Sequence, residues 1–214
     1  MWWTEEKIRL YSRAARHSSF HRELALMLSS CLDKAEKIAE AGCGLGYMTN
    51  ELTGLGYSVC GFDSDEMAVS FAKSHFPSSD FALADFSTYP FTGETILAVF
   101  FGHIEDEAGL KAFTDRTDHF VYLLNEHTDY SRCSWEKSDR VEELIKASGL
   151  SFSVRHTHLF FNQMVRDEAE KERFIRLNYT QRGRVFSHET VQHGDSIEII
   201  IDKAFSIFDI RRCK

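Results

Sequence analysis

The stretch Lys37–Leu52, KIAEAGCGLGYMTNEL, constrains the fold of this chain more than any other. It reads as a short apolar strand carrying an acid, Glu40, then glycines on alternate positions, Gly42, Gly44 and Gly46, then an amphipathic helix from Tyr47. Glycine accepts positive φ without steric cost and lets a ligand come close to the backbone. A glycine-rich turn between strand and helix is therefore a seat for a nucleotide-like ligand at the helix N-terminus.

The pattern around that turn is strand–helix alternation. Strands are expected near Lys37–Ala41, Ser58–Phe62, Asp80–Leu83, Thr95–Phe101 and Asp118–Leu124, and helices at Tyr47–Leu55, Asp65–His75, Asp106–Thr114 and Trp135–Ser148, the last stopped by Gly149. Such alternation predicts a mostly parallel sheet with helices on both faces, and the run ILAVFFG fits a strand buried on both sides. Before it come two helices, one capped by Thr4 with Ile8, Tyr11 and Ala15 on one face, one opened by Ser18 or Ser19. After it, SFSVRHTHLFFN and SIEIIIDKAFSIFDI read as two long strands separated by a charged helical segment.

Length and composition fit one domain. The expected division is a helical cover at 1–35, a ligand-binding core at 36–162, an insertion at 163–196 and a last strand at 197–214, within 214 residues. The N-terminal residues lack signal-peptide character and no apolar run is long enough to span a bilayer, so a cytoplasmic protein without membrane contact is expected. Five scattered cysteines give neither a disulfide framework nor zinc spacing, and no metal is expected. His156 and His158 would share one face of a strand, with no evident acidic or thiol partner. A formal charge of −8 disfavours nucleic acid as a partner, despite short basic patches at Arg182–Arg184 and Arg211–Arg212.

The dinucleotide fingerprint G-x-G-x-x-G is not met, because Tyr47 stands where its third glycine would be. The spacing is E-x-G-x-G-x-G. Asp63 follows the second strand, where a carboxylate can accept both hydroxyls of a ribose, and Asp85 follows the third, within reach of an adenine edge. Phe101, Gly102 and His103 follow the fourth, at the sheet's carboxyl edge.

This set resembles the class I S-adenosylmethionine-dependent methyltransferases over roughly Lys37–Leu124 and the two C-terminal strands. The resemblance implies a three-layer, Rossmann-like α/β fold. Its sheet would have seven mostly parallel strands, the antiparallel last strand inserted between the fifth and sixth, and an N-terminal helical cover. It implies S-adenosyl-L-methionine as cofactor. Glu40 would face the methionine ammonium, while Gly42, Cys43, Gly44 and Gly46 would make room. Asp63 and Ser64 would sit at the ribose, Asp85 and Phe86 at the adenine, and Phe101 and Gly102 beside them. His103 is the candidate general base. Glu94 stands near the start of strand four, where the family often has Asp.

The implied reaction is methyl transfer to a small molecule by in-line displacement. The amino-group methylase tetrapeptide [DN]PP[YF] is absent after strand four, where FFGHIE stands. The insertion at 163–196 is too long for a hairpin and reads as a lid, with Ile175 and Tyr179 on one helical face and Tyr11 of the cover facing the same site. A dimerisation helix is the competing reading of that segment, so a homodimer is allowed for. Rival functions are an RNA or protein methyltransferase, a non-catalytic cofactor-binding interaction protein, and a nicotinamide oxidoreductase, the last opposed by Tyr47.

Overall fold

The computed structural model describes residues 2–102, 104–129, 132–133, 135–178, 180–181, 184–185 and 189–212. The chain forms α1 (Glu5–His17), α2 (Phe20–Leu28), β1 (Lys37–Ala41), α3 (Tyr47–Gly54), β2 (Ser58–Asp63), α4 (Glu66–His75), β3 (Asp80–Leu83), β4 (Thr95–Val99), α5 (Glu107–Thr114), β5 (His119–Asn125), α6 (Glu136–Ala147), β6 (Ser151–Phe160), β7 (Gln163–Val165), α7 (Glu168–Asn178), β8 (Thr190–His193), β9 (Ser196–Ile199) and β10 (Asp202–Arg211). Short antiparallel pairs also join His127–Asp129 to Arg132–Cys133 and Thr180–Gln181 to Arg184–Val185.

Local chemistry sets most of these boundaries. The Thr4 hydroxyl accepts from Lys7 N and opens α1, and the carboxylates of Asp65 and Asp106 cap α4 and α5. Gly149, at φ 68°, ends the turn after α6. β4 stops at Val99, two residues short of the expected Phe101, because Phe100 takes φ 54° and turns the chain out of the sheet.

The main sheet has the order β3-β2-β1-β4-β5-β10-β6. All strands are parallel except β10, which runs against both β5 and β6. This is the expected three-layer, Rossmann-like fold with an antiparallel last strand between the fifth and sixth. Alternation along the strands splits the core between the two faces. On β5, Val121 and Leu123 face the α2–α3 side with Leu24, Leu28, Leu52 and Leu97, while Phe120 and Tyr122 face the α5–α6 side with Leu110, Phe113 and Ile145. Burying each of these large side chains contributes about 1.5–3 kcal/mol.

The C-terminal expectation needs one correction. SIEIIIDKAFSIFDI is two strands, not one: β9 ends at Ile199 and β10 begins at Asp202. Between them Ile201 N donates to Asn162 Oδ1 (3.0 Å), and Ile201 O accepts from Phe161 N (2.9 Å), which pins the turn. β9 is the middle strand of a separate antiparallel sheet, β8-β9-β7. That small sheet and α7 close over α1 through a third apolar cluster, in which Leu10 meets Val165, Phe174, Ile175, Ile197, Ile199 and Ile201.

Ion pairs reinforce this closure. The Glu170 side chain is 1% exposed and receives Arg9 and Arg13 of α1, each at 2.7 Å. Arg166 N completes the set at 2.8 Å. Burial alone would raise this carboxyl, but the hydrogen bonds from Arg13, Arg166 and Arg9 outweigh it and hold its pKa at about 2.

Candidate functional site

The carboxyl edge of β1, β2 and β4 opens into a cavity of about 670 Å³, roofed by the N-terminal segment, α1 and α2. The glycine turn forms its floor. Gly42 takes φ 68°, and a Cβ there would stand 2.2 Å from Phe101 Cδ2; at Gly46 (φ 78°) it would meet Phe81 Cε1 at 2.6 Å. Both positions thus require glycine for conformation and for close packing.

Glu40 lies on this floor, 2% exposed, with its carboxylate accepting from the Thr49 hydroxyl. Burial raises its pKa to about 7, the Thr49 bonds offset part of that, and the nearby charge of Asp63 adds to it. Burial favours the neutral acid here, and an ammonium group placed beside it would favour the carboxylate. Asp63 ends β2. One of its oxygens accepts from Gly44 N (2.9 Å) and the other from Asp65 N (2.9 Å), which leaves a lone pair on each for a vicinal diol.

Two elements of the site were not read from the sequence. Asp65 caps α4 with one oxygen and with the other accepts from Trp2 N (2.9 Å) and Trp3 N (3.1 Å). Burial raises its pKa, yet these backbone donors hold it below the ordinary carboxylate range. The strap it anchors lays the Trp3 indole over the turn, 3.3 Å from where a Gly44 Cβ would be. His21 of α2 is the second. Its Nε2 is 2.8 Å from the Tyr11 hydroxyl, and its ring stacks on Tyr47 at 5.0 Å. Burial lowers the His21 pKa to about 4, so the ring is neutral at physiological pH. Burial, then the neighbouring Tyr47 and Glu40, push the Tyr11 phenol up. The acid spacing in GFDSDE was the available signal for Asp65; no local spacing links Tyr11 to His21.

Of the sequence-derived candidates, Glu40, Gly42, Cys43, Gly44, Asp63, Ser64, Phe101 and Tyr11 line the cavity, and Gly46 braces it from the first turn of α3. Asp85 and Phe86 do not line it. Asp85 accepts from Ser87 N (2.8 Å) in a tight turn, and Phe86 packs on Phe113 at 4.6 Å with the Arg116 guanidinium 4.8 Å above its ring. Gly102 (φ 78°) lies behind Phe101, its carbonyl accepting from the Tyr122 hydroxyl at 3.4 Å. Ile175 is buried in the α1–α7 cluster instead of facing the cavity. His103 and Tyr179 lie outside the described residues, as do Arg182 and Gly183 of the basic patch. His156 bonds the Ser206 hydroxyl (2.8 Å) and His158 the Asp202 carboxylate (3.0 Å), and among the described residues no group of three ligand-type side chains could hold a metal ion.

A second cavity of about 260 Å³ adjoins the first through Trp3, Tyr11, Phe20 and Phe100, which line both. Its far wall is Phe161, Phe174, Ile201 and Lys203, from the end of β6, from α7 and from the start of β10. The first cavity has room and carboxyl acceptors for a nucleoside-sized ligand with an ammonium group.

Residues 38–119 match the family model described as a methyltransferase domain. The fold is shared with magnesium protoporphyrin IX methyltransferase from Synechocystis PCC 6803, solved with S-adenosylhomocysteine (TM-score 0.56, 13% identity, 92% of this chain and 84% of that one) and with S-adenosylmethionine (TM-score 0.54). It is also shared with a putative methyltransferase from Bacillus halodurans C-125 (TM-score 0.56, 13% identity, 88% and 97% covered) and a putative RNA methyltransferase from Pyrococcus horikoshii (TM-score 0.53, 12% identity, 92% and 83%). A search of curated proteins finds no match.

Proposed function

We propose that the protein is an S-adenosylmethionine-dependent methyltransferase acting on a small molecule, a reading supported by the match of residues 38–119 to a methyltransferase-domain model and by the order of the main sheet. The observation that carries the reading is Glu40, a buried carboxyl beside the glycine turn whose charged form an ammonium group would stabilise. The residues present fit the cofactor: Glu40 takes its ammonium, Asp63 its ribose hydroxyls, and Gly42 and Gly44 give backbone room. When bound, its sulfonium supplies a methyl group already activated for in-line displacement.

The chain's own residues then align and exclude water. The Trp2–Trp3 strap, tied by Asp65, closes the donor side, and the Tyr11–His21 pair fixes α1 against α2 at the junction of the two cavities. His21, neutral and buried, is a positioning group here and carries no charge to the sulfonium. The acceptor enters the second cavity, and the insertion acts as its lid: α7 and β10 supply walls that the core strands do not. A chamber of 260 Å³ suits a small metabolite more than a nucleotide chain or a protein segment. No helix among the described residues is long and apolar enough to cross a membrane.

The test is calorimetric titration with S-adenosylmethionine, S-adenosylhomocysteine and NAD, on the native protein and on Asp63→Ala. Binding of both adenosyl ligands, lost in the variant and absent for NAD, is the expected result. Binding of NAD in their place, or no adenosyl binding by folded protein, refutes it.

A further inference from the structure

The second cavity has a chemical signature of its own, carried by Lys203. β10 runs against its neighbours, so its first residues stand at the sheet's carboxyl edge. Phe205 pairs with Asn125, the last residue of β5, and Lys203 lies two residues beyond it, opposite Leu159. There the half-buried lysine lines a wall otherwise formed by Phe161, Phe174 and Ile201. Among the described residues its ammonium has no carboxylate partner and no hydrogen-bond acceptor, and burial pushes its pKa down.

Three nearby carboxylates are engaged elsewhere, and the buried Glu126 accepts from the Ser206 hydroxyl, on the opposite face of β10 from Lys203. Asp202, its neighbour in sequence, holds His158 (3.0 Å), Glu198 takes Asn162 (2.9 Å) and His193 (2.8 Å), and Glu170 is committed to Arg9, Arg13 and Arg166. Among the described residues no aspartate or glutamate lines the cavity, although the chain carries 33 acids against 25 lysines and arginines. The other lysine in the lining, Lys7, donates to Trp2 O at 3.0 Å and sits 4.0 Å from the Trp2 ring, so it is already occupied by the strap. A cation desolvated among aromatic side chains without a counter-charge is a cost that an incoming anion removes.

We propose that the methyl acceptor is a small, largely apolar carboxylate, its body held among Phe20, Phe100, Phe161 and Phe174 and its carboxylate paired with Lys203. This rests on the methyltransferase reading, because it takes the second cavity as the acceptor's. Lys203 binds and orients; it is not placed as a base. The pairing forms in a cavity partly shielded from water, so it discriminates between a carboxylate and its neutral amide.

The experiment is calorimetry on protein saturated with S-adenosylhomocysteine, titrated with matched pairs: benzoate and benzamide, phenylacetate and phenylacetamide, hexanoate and hexanamide. It is repeated on Lys203→Met and Lys203→Arg. The expected result is that at least one carboxylate binds roughly 10- to 100-fold more tightly than its amide. That preference disappears in Lys203→Met and is largely retained in Lys203→Arg, with S-adenosylhomocysteine affinity unchanged in both. If S-adenosylhomocysteine binds but no carboxylate is preferred, or nothing in the panel binds, or the preference survives Lys203→Met, the acceptor assignment is overturned while the cofactor reading stands. If S-adenosylhomocysteine itself fails to bind folded protein, the failure lies with the cofactor reading. Lys203→Arg guards against a Met variant that does not fold.

Discussion

Replacing Glu170 with Gln tests whether α7 is held to α1 by charge. The Glu170 carboxyl falls from its ordinary 4.5 to about 2 in the folded protein. At about 1.36 kcal/mol per pKa unit, a fall of about 2.5 units is worth roughly 3 kcal/mol. The arginine side chains that hold it are 41%, 20% and 67% exposed, so water screens part of this and about 2–3 kcal/mol is the working figure. The contribution belongs to a contact between α1 and α7, so its loss loosens those elements before the main sheet. Native-state hydrogen exchange is the assay. In E170Q, amides of β7, α7 and α1 are expected to open about 30- to 150-fold more often, with β1, β4 and β5 unchanged. The pH dependence has a definite sign. The folded pKa is depressed, so the stabilisation is complete above about 4.5 and is lost as pH falls toward about 2. The gap between native protein and variant is therefore flat from pH 5 to 8 and closes in acid. Exchange in α7 that changes less than threefold, or a gap that persists at pH 2, refutes the reasoning.

Two further outcomes concern the cofactor side. Glu40 titrates near 7 in the free protein, its folded pKa raised, so the stability of free protein declines as pH rises from about 4.5 to 7. Affinity for S-adenosylhomocysteine should climb over pH 6–8 as the carboxylate forms, whereas Glu40→Gln should give a flatter profile and roughly 10- to 100-fold weaker binding by calorimetry. Gly42→Ala places a Cβ against Phe101 at φ 68°. It should cost about 1–3 kcal/mol in urea unfolding and remove detectable cofactor binding; wild-type affinity in that variant contradicts the floor assigned to the turn.

The sequence disclosed what depends on neighbours along the chain. The glycine turn, the five core strands and the caps at Thr4, Asp65 and Asp106 are all written within a few residues of where they act. The break at Ile200–Ile201 was hidden because isoleucines on both sides of it are buried, Ile197 and Ile199 in the small sheet and Ile207 and Ile210 in the large one. Apolar runs do not say which sheet they serve. Asp65 was visible as the start of a helix, but its grip on Trp2 and Trp3 joins residues more than 60 positions apart. Glu170 reaches α1 across more than 150 positions, and Lys203 gains its meaning only because β10 is antiparallel. Asp85 illustrates the reverse case: its place after β3 was legible, while its turn bond to Ser87 directs it away from the cavity.

The reversed direction of β10 has a genetic consequence. The floor of the first cavity comes from residues between Glu40 and Asp65, whereas Phe161, Phe174, Ile201 and Lys203 of the second fall in one later stretch of the chain. β10 joins the large sheet through backbone pairing with β5 and β6, which does not depend on side-chain identity at its first residues. A single exchange of the 161–203 stretch between related genes would therefore change these four lining residues of the second cavity and leave the Glu40–Asp65 segment of the first untouched.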